Sequence, residues 1–497
     1  MPTELPSSPN LEHLKKQAKA LLRDFRKKKP QAVEKFRRLN LKALPKLSDA
    51  QHLIAREYGF DRWWSLRQHV ESVTARTAEA VRLAMQAFHN DDATEVRRLL
   101  DQYPVLKTKI NEPISHFDSP LITRVRSSAM LDVLLDAGAD INARSRWWAG
   151  GFGLLDSAEP GVAAHAIRRG AVVTVHAAAR LGMMEKLREL IAADATLVHA
   201  RGGDGQTPLH FASTVEIAEY LLDRGAEIDA RDVDHESTPA QYMVRSRPDI
   251  ARFLIRRGAH TDILMAAGLG DVNLVEKHLH ADPECIRTRV SEEYFPLVGS
   301  AKGGGTIYQW ELGWHVSACQ VARSFGHADV FDLLMERSPA EEKLLNACWL
   351  HDERMVNSLV AKHPNLAAAL PLAGRRHAAH AARNNNTSAV RLMLTAGLPV
   401  DTSSQHHATP LHWAAWHGNV EMVRLILAHH PPIEEASNDY KGTPLNWAMH
   451  GSENGWHRPS GDYPATVEAL LDAGASPPEE IGGTDAVREV FLRRRSL

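Results

Sequence analysis

Two short signals recur through this chain at nearly constant spacing, and together they fix most of what it can fold into. Thr-Pro stands at Thr207, Thr238, Thr409 and Thr443, and Gly-Ala at Gly138, Gly170, Gly225, Gly258 and Gly474. Thr207 to Thr238 is 31 residues, Gly225 to Gly258 is 33, and Thr409 to Thr443 is 34. A threonine caps a helix N-terminus, and a proline at the first helical position gives up no hydrogen bond, so each Thr-Pro opens a helix. Glycine supplies the left-handed backbone that ends one. In the clearest period, Thr409–Asn419 reads TPLHWAAWHGN and is followed by VEMVRLILAHH. Ala414 and Ala415 permit close helix packing, Gly418 makes the turn, and Val420, Val423 and Leu427, with Met422 and Ile426, repeat at helical spacing. Each period therefore predicts two short antiparallel helices. Such a unit cannot bury its own apolar faces and needs neighbours of the same kind.

Thr409, Pro410, Leu411, His412, Trp413 and Ala414 spell T-P-L-H-x-A, and His210 stands at the matching histidine position. The chain on this basis resembles the ankyrin-repeat family. The resemblance implies an all-α ankyrin-repeat solenoid of roughly 11 helix–turn–helix units, counting eroded units that begin near Val175, Leu264, Ser317, Leu344 and Arg376. It also implies that the signature histidine bonds backbone and fixes the turn. The array is expected over 77–483, with insertions at 291–316 and 451–464, and a charged capping helix over 484–497.

Residues 1–76 are a different object, a small helical module. Ser8-Pro9 reads as a helix start, with Leu11, Leu14, Ala18, Leu21 and Phe25 at helical steps until Pro30. A short basic helix is expected to about Arg38, then a third capped by Ser48 and Gln51 and closed by Gly59, and a fourth over Trp63–Val70. The module is similar to a leader seen ahead of ankyrin arrays in many bacterial proteins, which implies a bacterial origin and no chemistry. Between Lys15 and Lys46 lie 13 Lys or Arg against Asp24 and Glu34, a net of +11. A basic face of this kind suits nucleic acid or an acidic partner, but no base-reading motif accompanies it. A solvated helix face is the simpler reading.

The formal net charge of −2 gives the whole chain no pull toward nucleic acid or anionic membranes. Cys285, Cys319 and Cys348 are odd in number and lack CxxC spacing, which argues against a disulfide framework or cysteine zinc site and suits a reducing cytoplasm. The N-terminus has no apolar signal region, and no apolar run approaches membrane-spanning length. A cytoplasmic protein is expected.

Chemistry is sparse in the pattern. Histidine is frequent, at 27 residues, and His406, His407, His412, His417, His429 and His430 share one repeat, yet no HExxH or one-face ligand spacing occurs. No GxSxG occurs, and Gly303-Gly304-Gly305 lacks a phosphate-loop frame. No catalytic residue, metal ligand or cofactor site is assigned.

Aromatic placement stands out instead. In the family's register, the two residues after the paired small residues of a first helix face the concave groove. Here these include Trp349-Leu350, Arg383-Asn384 and Trp416-His417, with His450 in the last clear unit. Trp413 and Trp447, at the usual leucine position, are expected in the core. Departures from the repeat add Trp147 and Trp148 in a turn, Trp310 and Trp314 in the first insertion, and Trp456, His457 and Tyr463 in the second. Insertions in repeat arrays gather on one face, often the binding face. The leading expectation is a non-enzymatic scaffold holding a protein or peptide partner through Trp349, Leu350, Arg383, Trp416, His417, His450, Trp456, Trp310, Trp314, Trp147 and Trp148. The alternative is a small-molecule or hydrolase-like pocket closed by the aromatic insertions.

Overall fold

The computed structural model describes residues 3–6, 9–37, 39, 44–299 and 302–495. Among the described residues every named element is a helix, and only isolated bridges such as Arg289 to Ser317 stand outside them. No described helix is long and apolar enough to cross a membrane. The chain divides into two compact units, Met1–Ala226 and Glu227–Leu497.

The first unit opens with Leu11–Arg26, Pro30–Arg37 and Leu47–Glu57. Leu14, Ala18, Leu22, Phe36, Leu53, Ile54, Leu66 and Val70 form their shared core. Ser8 and Arg38 lie outside the described residues, and the first helix is capped by the Asn10 side chain, which accepts from the His13 backbone N–H at 3.1 Å. The third helix starts one residue before Ser48. Asp49 reaches back to the Lys46 backbone N–H at 2.7 Å, so the cap is an acid three residues in rather than the expected Ser48–Gln51 pair. The fourth helix does not stop at Val70 but runs unbroken from Trp63 to His89. Nothing in 71–76 breaks it, since that stretch contains neither glycine nor proline.

Beyond it the two-helix period takes over. Val175–Arg180 pairs with Met184–Ala193, with Ala177, Ala178 and Ala179 buried where the helices approach. In the second unit the pairs include Ile263–Leu269 with Val272–Ala281, Ala318–Phe325 with Ala328–Arg337, and Pro410–Trp416 with Val420–Leu427. The five Gly-Ala closings all adopt the left-handed backbone, with φ between 91° and 103°. The common physical cause is the helix C-terminus, whose last carbonyls are satisfied only if the chain reverses there.

In the second unit one contiguous apolar cluster runs from Leu344 to Phe491, and Val487, Val490 and Phe491 of the helix Asp485–Arg495 join it. The signature histidine holds the turn as the resemblance implies. His412 Nδ1 accepts from the Thr409 backbone N–H at 3.2 Å, while Nε2 lies 3.0 Å from the Glu435 carbonyl and 3.1 Å from that of Gly442. Those carbonyls can only accept, so the neutral ring carries its proton on Nε2. His210 repeats the Nδ1 contact with Thr207 in the first unit, at 3.1 Å.

Candidate functional site

The second insertion begins as a helix. Most first helices of the array are short, as in Pro410–Trp416 with 7 residues, whereas Pro444–Asn454 runs to 11. The extra turn needs glycine. A Cβ on Gly451 would stand 2.6 Å from the Trp416 carbonyl oxygen, and one on Gly455 would stand 2.5 Å from the Gly451 carbonyl oxygen. Tyr463, expected within the insertion, starts the next helix and is buried, its hydroxyl donating to the Trp416 carbonyl at 3.0 Å. Between these anchors the chain is thrown outward, and it leaves Trp456 56% exposed.

Trp456 closes one side of a recess of about 420 Å³ lined by His406, Trp413, Trp416, Tyr440, Gly442, Asn446, Trp447, His450 and itself. Trp447 stands nearly perpendicular to Trp413, at 84°, and to Trp416, at 74°. Trp416 is nearly perpendicular to Trp456, at 83°, and Trp456 is close to parallel with Trp413, at 26°. Tyr440 and His450 extend the walls, with ring centroids 5.7 Å from Trp447 and Trp416 respectively. Trp413 and Trp447 are buried as expected, yet they are also walls: core residues on one side, recess lining on the other. The Trp416 indole N–H is buried with no hydrogen-bond partner among the described residues.

Arg383 joins the two insertions. Its guanidinium lies 4.2 Å from the ring centre of Trp314 in the first insertion and 5.2 Å from that of Trp456 in the second, with Trp413 at 5.6 Å. Cation–π contact of this kind is strongest over indole. Its Nε donates to Gln405 at 2.7 Å, and the neighbouring Asn384 donates to the Trp314 carbonyl at 2.8 Å. Burial lowers the Arg383 pKa to about 10.

Two expected groove residues are sealed instead. Trp349 is 5% exposed, and its indole N–H donates to His377 Nδ1 at 2.9 Å. The cause is His315 at the end of the first insertion, whose ring lies 6.2 Å from Trp349 and stacks on His380 at 3.6 Å. Burial holds His315 and His377 well below the usual histidine range. His417 is likewise buried, because the second insertion lays Trp456 and His457 against it, 5.6 Å and 4.9 Å away. Its Nε2 donates to the Arg383 carbonyl at 2.8 Å, and burial lowers its pKa to about 4. Leu350 ends the Ala340–Trp349 helix half-buried. Trp310 is 73% exposed and does not line the recess.

In the first unit Trp147 and Trp148 belong to a separate aromatic group. Trp147 meets Phe117 edge-on at 4.7 Å, Trp148 lies 6.2 Å from Trp147, and Arg124 stands over Phe117. Of the residues expected at a binding surface, Trp416, His450 and Trp456 line the recess, beside His406, Tyr440 and Asn446, which were not expected there. A signal for Tyr440 was available: it sits in the turn just before Thr443, where the chain passes the opening of the next helix.

Comparison with known proteins fits this architecture. The family model described as ankyrin repeats (3 copies) matches residues 175–265, 321–436 and 379–479, together about half of the chain. The E3 ubiquitin-protein ligase KEG of Arabidopsis thaliana is 23% identical over 247 residues, covering 47% of this chain and 15% of that protein. The B-cell lymphoma 3 protein homolog of Mus musculus is 24% identical over 244 residues, covering 48% of this chain and 47% of that protein. The chain thus matches less than half the length of either relative. With its family-model matches, its Thr-Pro openings and the His412 and His210 turn contacts, the chain belongs to the ankyrin-repeat family.

Proposed function

We propose that this chain is a protein-interaction scaffold whose second unit anchors a protein or peptide partner in the aromatic recess. Ankyrin repeats mark a binding scaffold in general; the recess is the specific part. The observation that carries the reading is the cluster of four indoles around an open volume of about 420 Å³, with Trp456 left exposed at its rim. Indoles held by packing lose little conformational freedom when a partner arrives, so such a site spends little binding energy on ordering itself. Arg383, Trp314 and Trp456 hold the two insertions together beside it. The three cysteines are free thiols, as suits a reducing, cytoplasmic setting. The basic N-terminal module and the Trp147–Trp148 group remain secondary candidates for contact, and a nucleic-acid partner has no further support.

The test is comparative affinity capture from host lysate with the full chain and its Trp416→Ala, Trp456→Ala and Trp310→Ala variants. The reading expects a partner retained by the wild type and by Trp310→Ala but lost with the other two. Retention of every captured protein by both recess variants would sink it.

A further inference from the structure

The recess walls carry information about what fills them. A planar aromatic ligand is best held between two parallel faces, as in offset stacking. Here Trp447 stands 84° from Trp413 and 74° from Trp416, and Trp416 stands 83° from Trp456. The near-parallel pair, Trp413 and Trp456, has ring centres 5.8 Å apart, too close to admit a ring, which needs about 7 Å. Walls in three near-orthogonal orientations suit a compact, roughly tetrahedral group that meets several faces at once. An anion finds little there, because the lining contains no lysine or arginine. A cation meets the negative faces of indole rings, the strongest of the aromatic partners for cations.

Charge around the recess points the same way. The lining residue His406 contacts the Asp439 carboxylate at 3.2 Å, and His407 contacts the same carboxylate at 2.8 Å. Asp439 is the acid that reaches the recess, through His406, whereas Glu421 and Glu453 of the same stretch are paired with Arg391 and Arg488. The chain also keeps a cation of its own on the same indole group, since Arg383 lies over Trp314, Trp413 and Trp456 without lining the recess. That guanidinium shows that faces of this indole group already accept a cation.

We propose that the recess formed by Trp413, Trp416, Trp447, Trp456 and Tyr440 binds a methylated ammonium head group, carried on a lysine side chain of the protein partner. Methylation spreads the positive charge over a larger, less hydrated surface that fits orthogonal indole walls better than a bare ammonium, which would have to give up tightly held water. The inference rests on the reading of the recess as the partner-anchoring site.

The experiment is calorimetric titration of the full chain with four probes. These are a short peptide bearing trimethyllysine, the same peptide with unmodified lysine, its neutral analogue in which carbon replaces the trimethylated nitrogen, and choline. The trimethyllysine peptide should bind at least about ten-fold more tightly than the neutral analogue, the size expected of a desolvated cation–π site. It should also bind more tightly than the unmodified peptide and choline, and Trp456→Ala should abolish it. Trp456 is exposed, so its truncation leaves the fold intact, and a melting curve for the variant checks this. Equal binding of the neutral analogue, or no binding of any probe, overturns the inference while leaving the capture result, and with it the scaffold reading, standing on its own. Tighter binding of choline than of the trimethyllysine peptide overturns the assignment to a partner's lysine in favour of a free quaternary ammonium compound.

Discussion

Two aromatic groups in this molecule arise in the same way and end differently. In the first unit, SRWWAGGFGLLD interrupts the repeat, and Trp147 and Trp148 gather with Phe117 and Phe152 at ring separations of 4.7 to 6.3 Å. In the second, GSENGWHRPSGDYP interrupts it, and Trp456 joins Trp413, Trp416 and Trp447 around an open recess. Both depend on glycine where the chain packs closely against itself. A Cβ on Gly150 would stand 2.1 Å from the Gly202 carbonyl oxygen; one on Gly455 would stand 2.4 Å from the Tyr463 hydroxyl. The difference lies in what the glycine contact supports. Gly150 lets two turns come together, whereas the Gly451 and Gly455 contacts accompany a helix longer by a turn that carries Trp456 to the rim of the recess. What separates the two groups is the open volume that the second encloses, and not the ring angle, since Phe117 and Trp147 also meet at 87°.

The comparison can be broken at its supports. Gly150→Ala places a side chain on a backbone at φ 144° and against a carbonyl, so it should destabilise the first unit by about 3 kcal/mol or more in denaturant unfolding. Binding at the recess should be unchanged. A neutral result would show that the two turns are not held by that contact.

Acid should act on the second unit. His417 has its pKa lowered from 6.5 to about 4 in the folded chain. A depressed folded-state value means the unfolded chain takes up the proton first, so the stability from this buried neutral ring is present above pH 6.5 and is lost as pH falls toward 4. The loss should reach about 3 kcal/mol at the low end of that window, and His417→Gln should flatten the slope of stability against pH. A pH profile identical in that variant would contradict the burial of His417.

Gly455→Ala should cost about 2 kcal/mol and, unlike Gly150→Ala, should also abolish partner capture, because the clash displaces Trp456. Smallest of all, Trp310→Ala should change stability by no more than about 0.5 kcal/mol and leave capture intact, since Trp310 is exposed and outside the recess.

Much of the fold is legible in the sequence because its signals are local. Thr409-Pro410 and Gly258-Ala259 state a helix start and stop within a few residues, and each recurs in phase. Helix ends in the N-terminal module were harder, since Asp49 and Ser48 are both credible caps and only the backbone decides between them. The site was legible in part. Trp416 and His450 follow from the repeat register, and Trp456 from the insertion. The burial of Trp349 and His417 does not, because each is covered by an insertion whose path no periodicity encodes: His315 closes over one, Trp456 and His457 over the other. Likewise, no pattern in the sequence announces that Arg383 bridges Trp314 and Trp456.

The central claim is that the partner occupies the recess, and the indole N–H resonances of the chain's 11 tryptophans report on it directly by nuclear magnetic resonance. With a captured partner added, the account predicts shifts at Trp413, Trp416, Trp447 and Trp456, each assigned by substitution, with Trp310, Trp147 and Trp148 unmoved. Shifts confined to Trp147 and Trp148, or recess indoles that stay in place while the partner is bound, would contradict it.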